Sequence, residues 1–248
     1  MQHYFLSEPL GIGQTVSLPK DIAHRVSRVR RSKIDDELEL VDQNHHVFLA
    51  KIVSLENKSV EVEIFAEQTR QVELQQEVTL LVGMPKKEKA EWIIQKGTEL
   101  GATTFIFFNS RYAVAKLKAD RLAKKLDRLN TIAKQAAEQS RRSIVPEVKV
   151  LDKLSDLELS EFDHTVVAYE EAAKQSEKSN LVKVFEQVQT SQKLLGVFGP
   201  EGGLAEEEVT TLVDQGATIA ALGPRILRVE TAPLYFLSTL SYQTELNH

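Results

Sequence analysis

The sequence has no cysteine, a single tryptophan and no long apolar run. Without cysteine the chain has no disulfides, thiolate zinc sites, iron–sulfur clusters or cysteine nucleophile. No stretch approaches the roughly 18 to 20 apolar residues that cross a bilayer, and the first ten residues lack the basic start and apolar core of a signal peptide. We therefore expect a cytoplasmic protein with no membrane partner and no bound metal.

The remaining composition is that of a globular protein with an uneven charge distribution. Of the 248 residues, 42% are hydrophobic and 27% are charged, which is typical of one or two folded domains. Residues 71–149 hold 15 basic and 9 acidic side chains, whereas residues 150–248 hold 7 and 16. A further basic run, KDIAHRVSRVRRSK, begins at Lys20. Such runs suit phosphate contacts, although they are equally typical of a solvated surface.

The hydrophobic pattern changes class near residue 70. Residues 35–65 alternate apolar and polar side chains, which predicts a small antiparallel barrel or sheet. From about residue 72, short apolar runs alternate with helical stretches, which predicts an α/β domain with a mostly parallel sheet. We expect helices over residues 86–101 and 119–140. The predicted domains are residues 1–70 and 71–248.

The segment LLGVFGPEGGLAEEEV predicts a buried strand, a glycine-rich turn and an acidic helix start. Gly199, Gly202 and Gly203 permit a tight turn and the close approach of a ligand, and Pro200 stiffens it. The turn lacks the residues of a phosphate-binding loop, and the following glutamates would repel phosphate. A ligand here should be uncharged or positive, and the alternative is a plain strand-to-helix turn.

The segment TIAALGPRILRVETAPLYFL predicts a strand, an unusually apolar loop and a last helix that Thr231 caps. Ile226 and Leu227 need something to bury them, so the loop either packs under another segment or lines a pocket for an apolar ring. The alternative is a buried crossover in which Arg225 and Arg228 pair with Glu201 and Glu230. The last helix is apolar on most sides, which predicts that a second subunit covers it.

Four ordered motifs resemble those of one family of RNA-modifying enzymes. They are WIIQKGTELGA (92–102), AAEQSRRSIVP (136–146), FGPEGGL (198–204) and LGPRILRVETAPL (222–234). Through them nearly the whole chain resembles the SPOUT methyltransferases, and among these the bacterial RsmE family, which methylates N3 of a uridine in 16S ribosomal RNA. The resemblance implies an N-terminal PUA-like β-barrel that binds RNA and a C-terminal α/β domain with a trefoil knot. It also implies a homodimer that uses S-adenosyl-L-methionine.

By position in the family, the resemblance implies a set of site residues. The expected cofactor-binding residues are Ala168, Tyr169, Glu170, Gly199, Pro200, Glu201, Gly202, Gly203, Leu222, Gly223, Ile226, Leu227, Arg228, Thr231 and Ala232. Arg228 is the expected catalytic residue, because its charge would stabilise a uridine anion, while Glu201 or Glu230 would serve as a base or in a salt bridge. The expected RNA contacts are His24, Arg30, Lys86, Lys89 and Arg142.

The sequence leaves two other functions open. One is a methyltransferase of the same fold that acts on another RNA. The other is a non-catalytic protein that binds the ribosome, against which the intact glycine turn and RILR loop argue. A third alternative, a nicotinamide or nucleotide-phosphate enzyme, is disfavoured because its phosphate-binding motif is missing.

Overall fold

The protein divides into two compact units along its chain. The computed structural model describes residues 1–56, 59–112, 119–169 and 180–247. The first unit contains Met1–Glu73 and Glu138–Ile144, and the second contains Leu74–Ala137 and Val145–His248. The first division of the chain thus follows Glu73, whereas the predicted boundary followed residue 70. The inclusion of 138–144 in the first unit has no signal in the hydrophobic pattern.

The first unit is built on a five-stranded sheet with the order β1-β3-β4-β5-β2. Its strands are β1 (Gln2–Phe5), β2 (Thr15–Ser17), β3 (Glu37–Val41), β4 (Val47–Ser54) and β5 (Glu61–Gln68). A short helix, α1 (Lys20–His24), continues into a π-helical turn, Arg25–Val29. The sheet is antiparallel, as predicted, except that β1 runs parallel to β3.

This first sheet is open rather than closed into the predicted barrel. In the described residues it ends at β1 and β2, which do not pair with each other. These edge strands have four and three residues, so each offers few backbone groups for a closing ladder. Its apolar face is covered, because the alternation in β5 turns Val62 and Ile64 inward and leaves Glu61 and Glu63 exposed.

Ion pairs hold residues 138–144 to the first unit. Arg25 donates from both terminal nitrogens to the Glu138 carboxylate, at 2.5 and 3.0 Å. Arg142 is only 2% exposed and donates from Nε and Nη2 to Glu73 Oε2, at 2.8 and 2.5 Å. Because Glu73 also accepts the Ser143 N–H at 2.8 Å, the segment is fixed through both its side chains and its backbone.

A buried carboxylate, that of Glu39, gathers three basic side chains in the same unit. His3 Nδ1 lies 3.0 Å from Glu39 Oε2, and its Nε2 lies 2.8 Å from the Arg142 carbonyl oxygen. Both ring nitrogens of His3 therefore lie within hydrogen-bond distance of an oxygen atom. Arg70 and Arg141 lie 3.6 and 3.8 Å from Glu39 Oε1.

The second unit is an α/β layer structure on a six-stranded parallel sheet with the order β11-β9-β10-β6-β7-β8. Its strands are β6 (Glu77–Gly83), β7 (Thr104–Phe108), β8 (Glu147–Leu151), β9 (His164–Ala168), β10 (Lys193–Phe198) and β11 (Thr218–Ala220). Its helices are α2 (Lys89–Glu99), α3 (Ala119–Ser140), α4 (Asn180–Gln187), α5 (Glu206–Asp214) and α6 (Ala232–Ser241), and a π-helical turn, Tyr242–Leu246, follows α6.

Both faces of the parallel sheet are buried. One face packs in a cluster that includes Phe105, Phe198 and Phe236, and the other packs in a cluster that includes Leu81 and Val197. Strands covered on both faces read as continuous apolar runs, and this explains runs such as TFIFF and KLLGVF. The α/β class predicted from these runs is confirmed.

The predicted helix bounds fit the structure closely at α3 and less closely at α2. Helix α3 has the predicted bounds, whereas α2 begins at Lys89, because Lys87 takes a left-handed conformation with φ of 56°. Helix α2 stops just before Gly101, as predicted, and this glycine takes a left-handed conformation with φ of 96°. Strand β8 was not predicted, and the trefoil knot stays a prediction. In the part of the chain that the structure describes, no helix is both long and apolar enough to cross a bilayer.

The Glu39 contacts generate a stability prediction. Glu39→Gln removes the negative charge that compensates Arg70 and Arg141, and it should lower the free energy of unfolding by about 3 kcal/mol, the usual cost of breaking a buried ion pair. Urea unfolding followed by circular dichroism measures this loss. Tryptophan fluorescence would miss it, because the single tryptophan, Trp92, lies in the second unit.

Glu37→Gln is the matched control, because Glu37 lies on the same strand and is exposed. It should leave the free energy of unfolding within about 0.5 kcal/mol of the original. Equal effects of the two substitutions would show that the Glu39 network does not stabilise the unit.

Candidate active site

Three neighbouring strands of the second unit end at the same level. Ala168, the last residue of β9, is paired in the sheet register with Phe198 of β10 on one side and with Ala220 of β11 on the other. The Tyr169 N–H donates to the Ala220 carbonyl oxygen at 3.2 Å, which continues this pairing by one residue. The loops that follow therefore leave the sheet side by side at its carboxyl edge, where open α/β sheets bind ligands.

The glycine-rich turn after β10 is packed too tightly for a side chain at Gly199, and its Gly203 has a left-handed backbone. The Gly203 N–H donates to the Pro200 carbonyl oxygen at 2.9 Å, and Gly203 has a φ of 76°. A Cβ at Gly199 would lie 2.7 Å from the Gly203 carbonyl carbon. At the end of β6, a Cβ at Gly83 would lie 2.4 Å from Pro200 Cδ. The turn is recognisable from its glycines in the sequence, whereas its contact with Gly83 is not.

The start of α5 is anchored by the acidic residues that the sequence placed there. Glu208 accepts the Ala205 N–H at 2.8 Å, and it also accepts the Ser110 hydroxyl and the Arg111 N–H, each at 3.0 Å. Arg111 also forms an ion pair with Glu207. These contacts join the start of α5, which follows the glycine turn, to the residues that follow β7.

The loop between β11 and α6 exposes unpaired backbone donors. Among the described residues, none accepts a hydrogen bond from the N–H groups of Leu222, Gly223, Ile226 or Leu227. The loop ends where the Arg228 carbonyl oxygen accepts the N–H groups of Thr231 and Ala232, at 2.8 and 2.9 Å. Thr231 stands at the cap position of α6, but its side chain makes no capping hydrogen bond, unlike the prediction.

This loop does not pack under another described segment, so of the two predictions for it the pocket that takes an apolar ring stays open. Ile226 is 77% exposed and Leu227 is half-buried, because no described residue covers the outer side of the loop. Arg225 and Arg228 are exposed, and neither has an ion-pair partner among the residues that the structure describes. The expected pairs of these arginines with Glu201 and Glu230 are therefore absent there.

Lys89, and neither of those arginines, pairs with Glu201 and Glu230. Its Nζ lies 3.1 Å from Glu201 Oε1 and 3.1 Å from Glu230 Oε2. Burial lowers the pKa of Lys89, but the contacts with Glu230 and Glu201 outweigh that effect and hold the pKa above its usual value. Burial raises the pKa of Glu201, but hydrogen bonds from backbone N–H groups, including that of Lys86, and from Lys89 outweigh it and lower the pKa. Lys89 and Glu201 are thus both charged at neutral pH.

The structure brings most of the predicted cofactor residues to one edge of the sheet. Ala168 ends β9 and Tyr169 follows it, residues 199–203 follow β10, and Leu222 and Gly223 follow β11. Ala232 begins α6, which packs on β10 through the edge-to-face contact of Phe236 with Phe198. Glu170 lies outside the described residues.

The predicted RNA contacts differ in their surroundings. His24, Arg30 and Lys86 are exposed. Lys89 is held between two carboxylates, and Arg142 is buried against Glu73, so neither presents a free cation. We correct these two assignments, since a lysine or arginine already paired within the fold has little charge left for phosphate. Within the described residues, no group of three or more His, Asp or Glu side chains is placed to hold a metal ion.

Comparisons with known proteins agree with this architecture. A family model described as an RNA methyltransferase domain matches residues 72–241, and one described as an RNA methyltransferase PUA domain matches residues 20–65. The ribosomal RNA small subunit methyltransferase E of Bacillus subtilis is 41% identical over 99% of this chain and 98% of its own length.

Solved structures give the same result. The crystal structure of a ribosomal RNA small subunit methyltransferase E from Neisseria gonorrhoeae, bound to S-adenosyl methionine, is 30% identical, covers 97% of both chains and has a TM-score of 0.83. A methyltransferase structure from Legionella pneumophila, 24% identical over 96% of both chains with a TM-score of 0.83, shares the fold. Fold and matches together define an RNA methyltransferase with a PUA domain. More narrowly, the chain belongs to the ribosomal RNA small subunit methyltransferase E family.

Proposed function

We propose that this chain transfers the methyl group of S-adenosyl-L-methionine to N3 of a uridine in the 16S ribosomal RNA of the small ribosomal subunit. The observation that carries the proposal is the convergence of three loops at the carboxyl edge of β9, β10 and β11, in a chain of this family. The relative from Neisseria gonorrhoeae binds the same cofactor. Because the substrate is ribosomal RNA, we assign the chain to the cytoplasm.

The loops fit the cofactor chemically. The unpaired N–H groups of Leu222, Gly223, Ile226 and Leu227 suit the polar edge of an adenine, and the side chains of Ile226 and Leu227 suit its apolar faces. A Cβ at Gly203 would meet nothing within 4 Å, so the turn leaves open space beside its backbone. We propose the predicted residues of these three loops, with Thr231 and Ala232, as the cofactor site.

Arg228 is the residue that we propose to be catalytic. S-adenosylmethionine supplies an electrophilic methyl group, so the protein must position the uridine and make its N3 nucleophilic. N3 holds its proton at neutral pH, and an exposed guanidinium with no ion-pair partner among the described residues would stabilise the anion that forms when the proton leaves. Glu201 is a weak base, because its pKa is lowered and Lys89 pairs with it.

The first unit supplies the RNA surface in this proposal. It contains the match to the PUA domain, and His24 and Arg30 lie exposed at the end of α1 and just after the π-helical turn. Arg28 and Arg31 are exposed beside Arg30, so the turn presents several cations that no described carboxylate neutralises. In the second unit we keep Lys86 as an RNA contact, because its side chain is exposed.

We also propose that the chain acts as a homodimer. The inner side of α6 is buried through Phe236, Leu237 and Leu240, but Tyr235 on the same helix is exposed, as are Tyr242 and Leu246 just after it. Exposed apolar groups gathered at one chain end are typical of a protein interface. A second copy would cover them.

The proposed activity is tested by incubating the purified chain with labelled S-adenosylmethionine and either small ribosomal subunits or their naked RNA. We expect methyl transfer, with N3-methyluridine identified by mass spectrometry of the nucleosides. A different methylated nucleoside would assign another RNA target. Cofactor binding without transfer to either substrate would also point to another RNA, and absence of cofactor binding would favour a non-catalytic role.

Arg228→Ala should lower kcat for methyl transfer by about 100-fold, because the charge opposite the uridine anion is lost. The Kd for S-adenosylmethionine, measured by calorimetry, should change less than about threefold. Arg225→Ala is the matched control, since Arg225 lies exposed on the same loop, and it should leave both values nearly unchanged. Equal losses of kcat and cofactor affinity would reduce Arg228 to a residue of the cofactor pocket.

The proposed dimer predicts a mass of twice the chain's 27.9 kDa in multi-angle light scattering. Replacing Tyr242 and Leu246 with serine should shift the mass toward that of one chain, because it removes apolar area from the interface. A single-chain mass for the unmodified protein would rule the dimer out.

A further inference from the structure

Lys89 joins two loops that the sequence keeps far apart. It is the first residue of α2, whereas Glu201 lies in the glycine turn after β10 and Glu230 lies just before α6. Lys89 Nζ is 3.1 Å from a carboxylate oxygen of each. One ammonium group therefore bridges two of the three loops that form the proposed cofactor site.

The surroundings of this cluster distinguish it from an ordinary surface ion pair. The side chains of Lys89, Glu201 and Glu230 are 30%, 25% and 20% exposed, so water screens them only partly. Glu201 also accepts the Lys86 N–H at 3.2 Å, so the beginning of α2 holds this carboxylate at two points. Without the ammonium group, two carboxylates would face each other across a short distance and repel.

The charge of the cluster matters for the ligand. One ammonium and two carboxylates carry one negative charge in total, so the loops are held together without a positive charge that would repel a sulfonium. A lysine that bound RNA phosphate instead would have to leave both carboxylates. The position of Lys89 thus favours a role inside the fold over a role at an RNA surface.

We propose that Lys89 is a positioning residue, which sets the spacing of the glycine turn and the loop before α6 by pairing with Glu201 and Glu230. The proposal rests on the cofactor site proposed above. Lys89 does not touch the reacting atoms. It acts through the two loops, and its loss should loosen both of them.

The test is Lys89→Met, which keeps the length of the side chain and removes its charge. We expect the Kd for S-adenosylmethionine, measured by calorimetry, to rise about five- to tenfold, as for a typical coupling between sites. Amide hydrogen exchange in residues 201–204 and 228–232 should become faster in the absence of any ligand. Affinity for 16S RNA should stay within about twofold, and Lys89→Arg should restore most of the cofactor affinity, because it keeps the charge.

Lys96→Met is the control on the same helix. Lys96 pairs with Glu99 at 2.8 Å, is 33% exposed and touches neither loop. It should leave cofactor affinity and exchange in the two loops unchanged. In addition, Lys89→Met and Glu230→Gln should be less than additive in their effect on cofactor affinity, because either change breaks the same contact.

Two results would overturn the proposal. One is weaker RNA binding by Lys89→Met with unchanged cofactor affinity, which would make Lys89 an RNA contact. The other is a lower melting temperature with unchanged cofactor affinity and unchanged loop exchange, which would make its role merely structural. If the unmodified chain fails to bind S-adenosylmethionine, the proposed function fails, while loop exchange in the absence of ligand still decides whether Lys89 holds the loops.

Discussion

The site depends on one steric constraint, the packing of the glycine turn against the end of β6. A Cβ at Gly83 would lie 2.4 Å from Pro200, and a Cβ at Gly199 would lie 2.7 Å from the backbone of Gly203. The turn thus approaches the end of β6 and its own backbone so closely that neither glycine has room for a side chain. Glu201 is thereby placed beside the beginning of α2, where Lys89 and the Lys86 N–H contact it. A packing constraint between backbones thus fixes the geometry of a charge cluster.

Local patterns in the sequence predicted the α/β class of the second unit, several of its elements and two loops of the proposed site. Helix α3 has the predicted bounds, and the apolar runs at TFIFF and KLLGVF are strands, because periodicity and turn residues act over short distances. The glycine turn was recognisable for the same reason. The resemblance to a known family then related the turn to the RILR loop, which periodicity alone cannot do.

The partners of charged side chains were not predictable, because they depend on contacts between distant residues. Lys89 and Arg142 were both interpreted as cations for RNA, yet Lys89 pairs with carboxylates more than a hundred residues later, and Arg142 pairs with Glu73, 69 residues earlier. Position along the chain gives no signal for either pair. The same limit explains why residues 138–144 join the first unit, since Arg25 and Glu73 hold them there.

The loop from Leu222 to Arg228 agrees with only one of the two predictions made for it. It does not pack under another described segment, because Ile226 is 77% exposed, and the N–H groups of Leu222, Gly223, Ile226 and Leu227 have no partner among the described residues. Exposed apolar side chains are unfavourable in water, whereas exposed N–H groups stay available to a ligand. A ring with a polar edge and apolar faces satisfies both groups at once, so a ligand that binds there stabilises the folded loop by the free energy of its own binding.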